Sequence, residues 1–183
     1  MDRSAFAAGY VEIQGMKKNR LLLLWLVLLA GCQGSEQTAK LEPIEPTSGT
    51  SCALDGMILN DFPGPKAQIH YVQGGIEYHC DTNEMFDAFL RPEAQRGIRA
   101  MYVQDMGKAD WDKPRDNWID AKTAFYVLGS GKMGSMGATL ASFSRNEDAQ
   151  AFAAKYGGKV LRFDQINADM LAIDKSGQQD SRM

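Results

Sequence analysis

Two stretches of the chain carry the same order of apolar and polar positions. In the first, 68–72 and 76–80 have strand-like alternation and are joined by Gln73-Gly74-Gly75, the signal of a tight hairpin. Asp81 follows as a helix cap, with Glu84 three residues on to close a capping-box-like pair. Met85, Phe86, Phe89 and Leu90 then line one side of a helix that stops around Pro92, and a strand runs from Ile98 to Val103. In the second stretch, 123–128 and 139–143 read as strands, and Ser144 caps a helix with Glu147 three residues later. Ala149, Phe152, Ala153 and Tyr156 form the apolar stripe, Gly157-Gly158 ends the helix, and Val160 to Phe163 is the last strand. The stretches align at a constant offset, Glu84 on Glu147, Ala88 on Ala151 and Phe89 on Phe152. Each unit offers one apolar sheet face and one apolar helix stripe, so the pattern predicts an α+β fold. Two pseudo-repeated ββαβ halves, 52–106 and 123–166, would pack around a shared core with an inter-half loop at 107–122.

Upstream, Lys17, Lys18 and Arg20 precede an apolar run from Leu21 to Leu29, which closes on Leu29-Ala30-Gly31-Cys32. This three-part order is that of a lipoprotein signal peptide, 16–31, whose apolar run is too short for a permanent span. Cys32 would carry the acyl chains, which bury far more CH₂ groups than the single chain that anchors only marginally. Residues 1–15 do not fit the pattern and read as a non-native upstream extension, with Met16 as the start. Gln33 in place of Asp at mature position two favours the outer membrane over the inner, facing the periplasm. From Gln33 to Ser51 the chain is rich in Ser, Thr, Glu, Pro and Gly, so 32–51 reads as a flexible tether. The polar end, 167–183, reads as a disordered tail.

Charge narrows the partners. The formal net charge is -3 with the basic signal included, so the mature chain is more acidic still. There is no basic stripe, Arg-rich tract or zinc-finger spacing, which argues against nucleic acid.

The candidate chemistry is sulfur. With Cys32 spent on lipid, Cys52 and Cys80 remain. In an oxidising envelope the default is a disulfide, which would close a loop of about 29 residues and contribute roughly 3–4 kcal/mol. Strand alternation instead puts Cys80 on the face of Ile76 and Tyr78, pointing inward as a buried apolar thiol, and leaves His79 on the opposite, solvated face. Cys52 stands in Ser51-Cys52-Ala53-Leu54-Asp55-Gly56-Met57, where Gly56 permits a turn that brings the Met57 sulfur back. The loop from Gly129 to Gly137 has four glycines and carries Met133 and Met136, two thioethers without apolar neighbours. Met is more often core filler. A thiolate with thioethers, however, is a soft donor set that selects Cu(I) over harder ions, and the ligands zinc would ask for are absent.

These residues also carry a resemblance. Cys52 to Met57 followed by Gly64-Pro65-Lys66-Ala67-Gln68-Ile69 resembles the start of the NosL family, lipoprotein accessory factors of nitrous oxide reductase. So do Trp118-Ile119-Asp120-Ala121 running into Thr123-Ala124-Phe125-Tyr126-Val127, the Met136-Gly137 segment, and Gly157-Gly158-Lys159-Val160 leading to Phe163. Where family members often carry Cys-x-Met, this chain has Asp55-Gly56-Met57, with its thiol three residues upstream at Cys52. The resemblance implies a Cu(I) metallochaperone, not an enzyme, that serves the catalytic copper-sulfide cluster of nitrous oxide reductase through a NosDFY-type membrane complex. Cys52 and Met57 would be ligands, with Met136 from the second half and Met133 behind it.

Other readings stay open. At fold level only, the halves resemble organomercurial lyases, but the thiol set that reaction needs is missing and fold does not transfer chemistry. A Cys-x-x-Cys pair is absent, and no carboxylate pair stands out as an acid–base dyad. A non-catalytic structural envelope lipoprotein crosslinked through Cys52 and Cys80 is the alternative. Trp111 and Trp118 flank a polar loop and either dock a partner or close over the core between the halves; the second is the expectation.

Overall fold

The computed structural model describes residues 41–93 and 97–172. The expected signal peptide, lipidation site and upstream extension lie outside these residues, as does 173–183. Among the described residues no helix is long and apolar enough to cross a membrane.

The first sheet has the order β2-β1-β3-β4, all antiparallel, with β1 Ala67–Tyr71, β2 Ile76–His79, β3 Ile98–Gln104 and β4 Trp118–Asp120. The β1–β2 turn depends on Gly74 and Gly75, at φ 87° and 91°, a region closed to most side chains. Helix α1, Thr82–Phe89, sits between β2 and β3, and the Asp81 carboxylate caps it by accepting the Asn83 N–H at 2.9 Å. In the second sheet, β5 Phe125–Leu128 is central between β8 Ala141–Phe143 and β9 Lys159–Arg162. Helix α2, Asn146–Tyr156, joins β8 to β9 and ends at Gly157. The fold is therefore α+β, and in both sheets the first strand of the ββαβ order is the central one. Strands β6 Met133–Gly134 and β7 Gly137–Ala138 form a small separate hairpin with Ser135 and Met136 at its tip.

Alternation along β5 explains the layering. Tyr126 faces a core shared with the first sheet and α1, while Val127 on the other side packs with Phe143, Ala149 and Phe152 under α2. Phe86 of α1 is fully buried and makes an edge-to-face contact with Tyr126, ring centroids 5.1 Å apart, and a tilted one with Phe163 at 5.0 Å. Apolar packing thus joins the halves.

Several expectations change. Residues 41–51, expected as part of the tether, are fixed instead: 41–45 by side chains of the first sheet, and Thr47, Thr50 and Ser51 by residues 58–60. Gln68 accepts the Ile44 N–H at 2.9 Å and donates to the Ile44 carbonyl at 3.2 Å, Tyr102 donates to Leu41, and Trp118 Nε1 donates to Glu45 at 2.6 Å. A Pro- and Glu-rich segment becomes fixed because side chains of the sheet satisfy its backbone. Residues 167–172, expected in the disordered tail, carry Leu171 into the shared core. The inter-half loop contains β4, too short to read from alternation. Its Trp111 stacks on Phe152, centroids 5.4 Å apart, which supports closure over the core. Glu84 does not close a capping box, and the cap of α2 is Arg145, because Ser144 donates to the buried carboxylate of Asp105 instead. His79 is buried, not solvated: it shares the face of Ala67 and Ile69 that packs against α1. Burial holds its imidazole below the ordinary range.

Candidate metal centre

The site is built where β2 runs into α1. The loop 52–57 folds back on itself, with Cys52 N–H donating to Met57 O at 2.8 Å and Gly56 N–H to Cys52 O at 3.0 Å. Gly56 takes φ 77°, the turn that the sequence suggested. Ala53 N–H donates to the Tyr78 carbonyl at 2.8 Å, which stitches this loop to the end of β2 and brings Cys52 beside Cys80. Glu84 stands in the first turn of α1, four residues after Cys80, and its carboxylate reaches both thiols.

Both cysteines are free and buried. One donor atom each from Cys52, Asp55, Cys80 and Glu84 lie within 4.8 Å of one another. Cys52 S–H donates to Glu84 Oε2 at 3.0 Å, and Cys80 S–H to the same carboxylate at 3.4 Å. Two thiols therefore share one acceptor. With metal–thiolate bonds of about 2.3 Å, a single ion reaches two sulfurs about 4.6 Å apart, so little movement would be required.

The electrostatics favour protonated thiols in this state. Burial pushes Cys52 up, the Glu84 hydrogen bond adds to it, and backbone N–H groups of Cys80, Asp55 and Leu54 pull the other way. Cys80 is raised far above the usual thiol range by burial and by the charge of Glu84 beside it, with the Ser135 hydroxyl opposing. Lys66 is buried next to the site, and desolvation lowers its ammonium to about 8 against the pull of Asp81, Cys80, Glu84 and Cys52. Glu84→Gln is therefore expected to lower both thiol pKa values, because it removes a carboxylate that raises each. A pH titration of thiolate absorbance checks this; unchanged or higher values would contradict it.

The expected ligands divide. Met57 packs with Cys52, Leu59, Cys80 and Tyr78, so it belongs to this cluster. Met136 and Met133 stay exposed, at 61% and 40%, on an ordered hairpin rather than a loose loop. That hairpin borders the site, since the Ser135 hydroxyl donates to the Cys80 carbonyl and Trp111 Nε1 donates to Met133 O at 3.0 Å. Cys80 points inward as expected, but towards a carboxylate rather than an apolar core. Sequence reasoning missed Cys80 as a donor, having read it as a buried apolar thiol, and missed Asp55, Glu84 and Lys66 beside it. The one available signal was a glutamate four residues after a cysteine across a strand–helix junction.

Fold and site together define a small α+β domain built around a recessed thiol–carboxylate centre suited to a metal ion. The chain belongs to the NosL family, whose family model matches residues 43–171. It is 43% identical over 145 residues to the copper-binding lipoprotein NosL of Stutzerimonas stutzeri, covering 78% of this chain and 76% of that one. With the protein of the same name from Achromobacter cycloclastes the identity is 37% over 152 residues, 80% of this chain and 78% of the relative. The crystal structure of the copper chaperone NosL from Shewanella denitrificans superposes with a TM-score of 0.68 at 38% identity, covering 70% of this chain and 97% of that one. These relatives are described as copper-binding or chaperone proteins, not as enzymes.

Proposed function

We propose that this chain is a lipid-anchored carrier of monovalent copper in the cell envelope. Its route of delivery would be a NosDFY-type membrane complex, to the copper-sulfide cluster of nitrous oxide reductase. The observation that carries the reading is the pair of free, buried thiols meeting at one carboxylate. Cys52 and Cys80 as thiolates would supply charge and most of the affinity, with the Met57 and Met136 thioethers as further soft donors and Met133 behind them. Soft donors of this kind favour Cu(I). A low coordination number suits transfer, because a receiving protein adds a ligand before the carrier releases one. The names of the relatives, copper-binding lipoprotein and copper chaperone, agree with the cargo and the anchor.

If Cys32 carries the lipid, the eight residues 33–40 can put at most roughly 30 Å between it and the described chain. The receiving protein then has to approach the membrane surface itself, on whichever membrane the anchor sits; the outer one remains the reading from Gln33.

Titration of the reduced, unlipidated protein with Cu(I) against a competing chelator tests the cargo. One ion held per chain is expected; surrender of all copper to a weak competitor would overturn the reading. Affinity should also rise with pH, by about tenfold per unit for each thiol proton displaced. The sign follows from the raised thiol pKa values: the protons are present at neutral pH in the metal-free protein and must leave on binding. A pH-independent affinity between pH 6 and 8, a window below both raised values, would contradict thiolate ligation.

A further inference from the structure

Lys66 is 1% exposed, yet among the described residues it has no ion-pair partner. A buried ammonium is costly unless its protons are satisfied. Here three neutral acceptors take them: Pro63 O at 2.8 Å, Cys80 O at 3.1 Å and Ser135 Oγ at 3.0 Å. These belong to three separate segments, the approach to β1, the thiol-bearing end of β2, and the tip of the β6–β7 hairpin. The Ser135 hydroxyl accepts from the ammonium on one side and donates a hydrogen bond to the Cys80 carbonyl on the other. Lys66 and Ser135 thus lock the residue before Met136 against the residue that supplies the Cys80 thiol.

The hairpin needs such a lock. Its strands have two residues each, far short of what sustains a hairpin in water. Its backbone also fits closely: a Cβ on Gly64 would stand 2.8 Å from Gly134 Cα, and one on Gly134 would stand 2.4 Å from Asp81 Oδ2. On the far side Trp111 holds the Met133 carbonyl, leaving only the tip to be placed.

We infer that Lys66 is a positioning residue, whose ammonium, acting through Ser135, holds the Met136 thioether at the mouth of the Cys52–Cys80 pair. This rests on the reading of Met136 as a copper donor given above. It assigns the buried lysine a role in ligand geometry rather than in general stability.

The test compares Cu(I) affinity, by chelator competition, for wild type, Met136→Leu, Lys66→Met and the double variant, each well below its melting temperature. Loss of an outer-shell partner of a metal ligand typically costs about 10–100-fold in affinity, and that range is expected for Lys66→Met. The double variant should bind no more weakly than the weaker single one, because the lysine acts through the thioether. In protein labelled with ¹³C-methyl methionine, the Met136 signal should shift on Cu(I) loading in wild type and not in Lys66→Met. Should Lys66→Met fail to fold, Ser135→Ala interrupts the same lock while the ammonium keeps two acceptors, and a smaller loss in the same direction is expected. If Met136→Leu weakens binding while Lys66→Met and its Met136 signal match wild type, the inference falls alone. It also falls if the two losses add in full, which would indicate a charge effect on the thiols instead. A Met136→Leu variant as tight as wild type would overturn the thioether reading, and the inference with it.

Discussion

Cys80→Ala is expected to weaken Cu(I) binding as severely as Cys52→Ala, each by more than the roughly 10–100-fold that loss of an outer-shell group costs. The reason is geometric. The two sulfurs belong to one cluster of donor atoms within 4.8 Å of one another, so removal of either leaves a single thiolate. The double variant should compete no better than a protein without a site, while its fold survives, because each substitution removes only a small buried side chain. Chelator competition on reduced protein measures all three. A Cys80→Ala variant with wild-type affinity would return the metal to Cys52 and the thioethers alone, which is the arrangement the sequence suggested.

Phe86→Ala is expected to cost about 3–5 kcal/mol, the range for a buried phenylalanine truncated to alanine. Phe86 lies in the core common to both halves and meets Tyr126 and Phe163 from the second half at ring-centroid distances of 5.1 and 5.0 Å. The truncation therefore opens a cavity on the seam. Phe89, half-buried and in contact with Phe163 only among the ring pairs, should cost less. For a chain of this length the larger loss lowers the melting temperature by roughly 6–20 °C. Urea or thermal unfolding measures it, and a loss below about 1 kcal/mol would mean that the halves do not depend on the shared core.

The strands and helices were legible where local rules act alone: alternation in β1, β2 and β5, the glycine turn at Gly74-Gly75, the Asp81 cap and the Gly157 stop. What stayed hidden depends on partners distant in the chain. Nothing local in Leu41 to Pro46 says that Gln68 and Tyr102 will hold its backbone and Trp118 its Glu45 carboxylate, and composition alone made it a tether. The face error at His79, next to Cys80, has the same origin. Alternation separates the two side chains, but which face meets α1 and which meets the Cys52 loop is decided by tertiary packing. Residue type marked Cys52, Met57 and Met136 as candidate soft donors, while Cys80 read as a buried apolar thiol. Glu84 was read as a cap because its spacing from Asp81 satisfies that rule, and the thiols claim its carboxylate only once Cys52 is folded beside it. Lys66 carried no signal, since a lysine before a strand is ordinarily solvated.

Copper K-edge X-ray absorption on the Cu(I)-loaded, reduced protein tests the sulfur centre most directly. A shell of two or three sulfur atoms is expected in wild type, with sulfur lost from it in Cys52→Ala and in Cys80→Ala. A shell dominated by nitrogen or oxygen, or one unchanged when both thiols are removed, would contradict it.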